Sequence, residues 1–213
     1  MKFNALLKLI GRQPWFDLAT VVQLADEPRA QLQMQLYRWC RAGKLLPLRR
    51  GMYAFAEEYR RMSIEPAELA NHIYSPSYLS LQWALSYYGL IPEKTVTFTS
   101  VTTRQTKRFE NDFGMFSYRH LKPDVFFGYH SLKMNGHDVR IAMPETALLD
   151  LWHLEPGPWG EERMMGMRFQ NVELLDMTRL AEFTQRRAMP KLAKAVYAFT
   201  QVATLETEGT VEL

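Results

Sequence analysis

The chain has 213 residues, with 26 Lys and Arg against 23 Asp and Glu and a formal net charge of +3. Its 47% hydrophobic and 23% charged residues are ordinary globular values, which exclude a disordered chain, and no apolar run approaches the ~18 residues needed to span a bilayer. Cys40 is the only cysteine, so internal disulfides and a cysteine-based zinc site are excluded.

The opening stretch MKFNALLKLIGRQPWFDL lacks the apolar core and the cleavage site of a secretory signal, and a cytoplasmic location is expected. Charge is unevenly shared. Residues 1–62 hold 11 basic and 5 acidic side chains, a net +6, whereas residues 63–213 hold 15 and 18, a net −3. A basic module joined to a mildly acidic remainder suits a nucleic-acid reader with a second function attached.

Phe3, Leu6, Leu7 and Ile10 recur at helical spacing and predict a first helix ended by Gly11. Asp17 is placed to cap a second helix whose buried face is Leu18, Val21, Val22 and Ala25. A third helix is predicted from about Pro28 to Ala42, with Asp26 and Glu27 favourably near its start. Leu32, Leu36 and Trp39 form its apolar stripe, with Cys40 at the edge as a small buried hydrophobe. Gln31, Met34, Arg38 and Arg41 lie opposite, flanked by Ala30 and Tyr37, and Arg29 and Gln33 add to the same polar surface. From Arg29 to Lys44 there is no acid. Arginine can donate twice to a guanine edge, glutamine can donate to N7 and accept from N6 of adenine, and a one-signed face suits phosphates.

Gly43 ends this helix, and Leu45–Leu48 and Met52–Phe55 read as two short strands around Arg49, Arg50 and Gly51. Helix, turn, basic helix and two-stranded wing make a winged helix-turn-helix over residues 1–60, with both arginines at the wing tip. The candidate DNA-binding residues are therefore Arg29, Gln31, Gln33, Met34, Tyr37, Arg38, Arg41, Arg49 and Arg50.

After a charged connector over residues 57–65, Pro66 opens a short helix, PAELANHI. A longer helix is predicted from Ser75 and Pro76 to Gly89. TVTFTSVT then alternates with period two, and FGMFSYRHL, VFFGYHSLKM and HDVRIAM follow as strands, with Asn135-Gly136 as a tight hairpin turn. MPETALLDLWHL reads as a helix, and helical runs around VELLDM, TRLAEFTQRRA and PKLAKAVYAFTQVA precede a loose tail over residues 206–213. The fold class expected is α+β, the winged helix being followed by a mixed α/β domain over residues 64–213.

No phosphate-binding glycine loop, serine elbow or HExxH is present. His72, His120, His130, His137 and His153 lack ligand spacing, so no metal and no cofactor are expected. Asp124, Glu145 and Asp150 evoke a metal-dependent nuclease only loosely, because no Glu-x-Lys follows them, and structural capping fits them better. Trp83, Tyr87, Tyr88 and the Phe126, Phe127, Tyr129 group read mostly as core. An enzyme is not expected.

The N-terminal module ending in RRGMYAF, the segment SPSYLSLQWALSYYGLIPE, the strand TVTFTSVT and VRIAMPETALLDLWHL occur in an order that resembles the AbiEi-type antitoxin family, over about residues 3–200. The resemblance implies a winged-helix domain that binds operator repeats in double-stranded DNA and represses its own promoter. It also implies a C-terminal domain needed for antitoxin action against a nucleotidyltransferase toxin encoded nearby, and no catalytic residues. Two alternatives stay open: an interaction protein that neutralises the toxin directly, and a stand-alone transcriptional regulator.

Overall fold

A computed structural model describes residues 1–209 of the chain. Its first unit contains α1 (Phe3–Ile10), β1 (Phe16–Asp17), α2 (Leu18–Leu24), α3 (Arg29–Arg41), β2 (Leu45–Arg49) and β3 (Met52–Phe55). Asp17 caps α2 as expected, its carboxylate accepting from the Thr20 amide at 2.8 Å. Gly43 and Gly51 hold φ of +70° and +78°, the left-handed conformation that ends α3 and turns the wing. β1 is an addition to the expected pattern. Two residues are too few to show a period, and this strand exists because β3 pairs with it through Phe16↔Tyr53 and Asp17↔Met52. The three strands lie in the order β1-β3-β2. Leu6, Ile10, Val21, Leu32, Leu36, Leu45 and Phe55 close a small core between this sheet and the three helices.

The second unit begins with α4 (Pro66–Ile73), β4 (Ser77–Leu79), α5 (Leu81–Tyr87), β5 (Thr97–Thr102), β6 (Lys107–Asn111), β7 (Gly114–His120), β8 (Tyr129–Met134) and β9 (His137–Ala142). It continues as α6 (Pro144–Leu154), α7 (Glu161–Gly166), α8 (Met177–Arg187) and α9 (Pro190–Gly209). Six strands form one mixed sheet in the order β6-β7-β5-β4-β9-β8. The β8–β9 hairpin turns on Asn135 and Gly136, both at positive φ, as that dipeptide predicts.

Several expectations are corrected. The single helix from Ser75 to Gly89 is a cis Ser75–Pro76 peptide, the strand β4 and only then α5. Tyr78 and Leu79 are wholly buried between β5 and β9, and a continuous apolar run cannot be told from a helix by period alone. KRFEN, unassigned in the sequence, becomes β6 because β7 pairs along its length. VFFGYHSLKM is extended only from Tyr129, VELLDM yields only a 3-10 turn at Val172–Leu174, and α7 is an addition to the expected pattern. The expected loose tail is helical as far as Gly209, and residues 210–213 lie outside the described residues.

The wing is clamped between the two units. Leu45 and Phe55 face the first core, whereas Leu48, Met52 and Ala54 enter the core of the second. Asn111 Nδ2 donates to the Leu48 carbonyl at 3.0 Å, and the Trp15 ring lies 5.0 Å from His72 of α4. The two sheets nevertheless remain separate.

Candidate nucleic-acid interface

α3 buries Leu32 and Leu36 and turns Arg29, Gln31, Gln33, Met34, Tyr37, Arg38 and Arg41 outward. Met34 and Tyr37 are 52% and 59% exposed, high values for large hydrophobic side chains. The stripe beneath explains the orientation. Leu32, Leu36 and Trp39 lie on one side of the cylinder, and their burial fixes the helix about its axis with the polar arc outward.

A cleft of about 380 Å³ separates α3 from the wing. Arg29 and Gln33, one helical turn apart, line its α3 side, and Arg49, Arg50 and Gly51 line the wing side. Asp17, Leu18, Ala19 and Tyr53 complete it. These last four were missed in the sequence, because β1 and the start of α2 reach the cleft only through the β1–β3 pairing. The Asp17 carboxylate is occupied by its cap, also accepting from the Thr20 hydroxyl at 3.1 Å. Gln31, Met34, Arg38 and Arg41 lie outside this cleft, further round the exposed arc of α3.

The two wing arginines differ. Arg50 is exposed at the tip, whereas Arg49 is half-buried. Arg49 Nε donates to the Ile73 carbonyl at the end of α4 at 2.7 Å, and its Nη1 donates to the Arg50 carbonyl at 3.1 Å. Arg49 thus straps the wing to the second unit. Burial pushes the Cys40 thiol up from its ordinary range, which keeps it protonated and poorly nucleophilic.

Residues 4–56 match the AbiEi antitoxin family of transcriptional regulators. The AbiEi match begins inside α1 and ends just past β3, so it contains every residue of the cleft. No curated protein matches the chain. Among the described residues no helix is long and apolar enough to cross a membrane.

The acids weighed in the sequence are spread through the second unit. Glu145 is fully buried and accepts from the Asp176 amide at 2.8 Å, so it caps the start of α8, with Arg179 3.4 Å away. Asp150 does not cap a helix. It sits in the core, accepting from Ser80 Oγ at 2.6 Å, Arg187 Nη2 at 2.8 Å and Tyr78 Oη at 3.2 Å. Burial raises the Tyr78 phenol well above its usual range, and the neighbouring Asp150 charge adds to this, so it stays a donor. Among the described residues no group of three His, Cys, Asp or Glu side chains is placed to hold a metal ion. None of the six aromatic side chains expected in the core is fully buried: Trp83, Tyr88 and Phe126 pack half-buried against it, Phe127 lies edge-on to Phe183, and Tyr87 and Tyr129 are 46% and 38% exposed.

Proposed function

We propose that the chain is a sequence-specific DNA-binding repressor that acts as the antitoxin of a toxin–antitoxin operon and autoregulates its own promoter. The observation that carries this reading is the cleft in which Arg29 and Gln33 of α3 face Arg50 of the wing, inside the segment matching AbiEi regulators. α3 enters the major groove of double-stranded DNA, where Gln31, Gln33 and Met34 meet base edges. Arg29, Arg38, Arg41 and Arg50 neutralise phosphates, with Tyr37 beside them. Arg49 holds the wing in place instead of reaching for the backbone.

Gel-shift titration of the full chain with the DNA upstream of its own coding region, against a scrambled duplex, tests the reading. Tighter binding to the native duplex supports it, and equal binding to both overturns sequence-specific repression. By the family resemblance, the second unit serves antitoxin action toward a nucleotidyltransferase. Point variants on the exposed arc of α3 are better probes of that division than removal of residues 1–60, which would strip Leu48, Met52 and Ala54 from the second core. A Gln33→Ala chain that loses repression and still protects cells supports two separable roles, and loss of both opposes them.

A further inference from the structure

A second cationic surface lies beside the wing. From Lys94 to Phe109 the chain has no Asp or Glu, and Arg104 in the turn between β5 and β6 and Lys107 at the start of β6 are both exposed. The Arg104 guanidinium lies 4.3 Å above the Tyr74 ring, and its Nη1 donates to the Ser75 carbonyl at 3.4 Å. Lys107 Nζ lies 5.4 Å from the Phe109 ring and 6.0 Å from that of Tyr74. Neither Arg104 nor Lys107 meets a carboxylate in an ion pair among the described residues. A cation resting on an aromatic face keeps its charge while losing side-chain freedom in advance. Below it, Tyr74, Thr103, Arg104, Gln105 and His120 enclose a hollow of about 420 Å³, with His120 Nδ1 2.9 Å from the Arg104 carbonyl.

The placement of this ledge is fixed by the wing strap. Arg49 donates to the carbonyl of Ile73, and Tyr74, the platform for Arg104, is the next residue. The wing, the α4 terminus and the β5–β6 turn are therefore neighbours, and Arg50, Arg104 and Lys107 are exposed cations along them. We propose that Arg104 and Lys107 hold phosphates of double-stranded DNA beyond the stretch covered by α3 and the wing. The DNA footprint thus extends onto the second unit. This rests on the DNA-binding reading above. Such contacts carry no base information, but they set register and lengthen the bound duplex.

The test uses the full chain with two random-sequence duplexes, of about 14 and about 40 base pairs, titrated with salt. An Arg104→Gln/Lys107→Gln double variant should flatten the slope of log K against log salt by about 1.8 on the long duplex, at about 0.9 per phosphate contact, and leave the short duplex unchanged. Arg104→Lys/Lys107→Arg should restore the slope, which a merely structural role for these side chains does not predict. Acylation of Lys107, followed by mass spectrometry, should slow when the long duplex is added. An unaltered slope for the glutamine double variant overturns the ledge, and if Arg50→Ala still flattens binding to both duplexes, the DNA reading survives. Equal losses on both duplexes overturn the extended footprint. Equal protection of Lys107 by single-stranded RNA overturns the commitment to duplex DNA. Absence of binding by the unaltered chain to either duplex or to its own upstream DNA overturns both proposals.

Discussion

Asp150 and Arg187 offer the sharpest test of what holds the second unit together. Both side chains are fully excluded from solvent and lie 2.8 Å apart. Asp150 has three donors, whereas Arg187 Nε and Nη1 have no hydrogen-bond partner among the described residues and the guanidinium lies 5.4 Å from the Phe127 ring. Asp150→Leu therefore strands a buried cation, at a cost of about 3–5 kcal/mol. It also removes the acceptor of Tyr78 Oη and Ser80 Oγ, and each buried hydroxyl left unpaired adds about 1–3 kcal/mol. Tyr78 cannot swing aside, because the Phe126 and Tyr129 rings lie 4.8 and 4.5 Å from its own. Against a typical total stability of about 5–15 kcal/mol, the single variant should lose much of its folded population. Arg187→Met added to it removes the stranded charge, and the double variant should recover at least about 1 kcal/mol. Urea unfolding followed by circular dichroism measures all three chains. A double variant weaker than Asp150→Leu alone would refute charge stranding as the dominant cost.

Four further outcomes are expected. Gln33→Ala should weaken operator binding by about 1–3 kcal/mol and random-DNA binding hardly at all, because a base reader acts only on the right sequence; comparing Gln31→Ala in the same titration decides which glutamine reads. Arg50→Ala should weaken both DNAs alike and reduce the salt slope by about one. Arg49→Ala should lower the melting temperature by removing the 2.7 Å bond to Ile73, a charged hydrogen bond of about 1.5–3 kcal/mol, while the salt slope stays the same. Partial desolvation of the imidazole against the Trp15 ring, opposed by Glu68 and aided by the Arg140 charge, lowers the pKa of His72, an otherwise exposed residue. Stability linked to this histidine is complete above its unfolded pKa of about 6.5 and is lost as pH falls below that value towards the lower folded one. Thermal melts should show the loss, and His72→Gln should flatten it in part, since His153 is shifted the same way by burial.

The first unit was legible because its signals are local. The Leu32, Leu36, Trp39 spacing, the Asp17 cap and the left-handed glycines Gly43 and Gly51 each act within a few residues. The outward set from Arg29 to Arg41 follows from that spacing alone. What was missed depends on partners distant in sequence. β4 is a strand because Tyr78 and Leu79 meet Val101, Ser100 and Ile141, and β6 because it meets β7. Arg49 and Arg50 are neighbours with the same chemistry, and only the position of the Ile73 carbonyl separates a strap from a free tip. Asp150 resembled a helix-terminal acid until Ser80 and Arg187 were brought to it.

The wing carries a thermodynamic consequence. Leu48 and Met52 complete the large core while Leu45 and Phe55, on the same two strands, complete the small one. Neither core can open without disturbing the hairpin that seals the other, so the two units should melt in a single transition. Duplex DNA gripping the wing would then protect amides deep in α6 from hydrogen exchange. By the reciprocity of linked equilibria, a ligand of the second unit whose affinity rises when DNA holds the wing would raise the affinity for DNA by the same factor. One short hairpin makes the two units a single thermodynamic object.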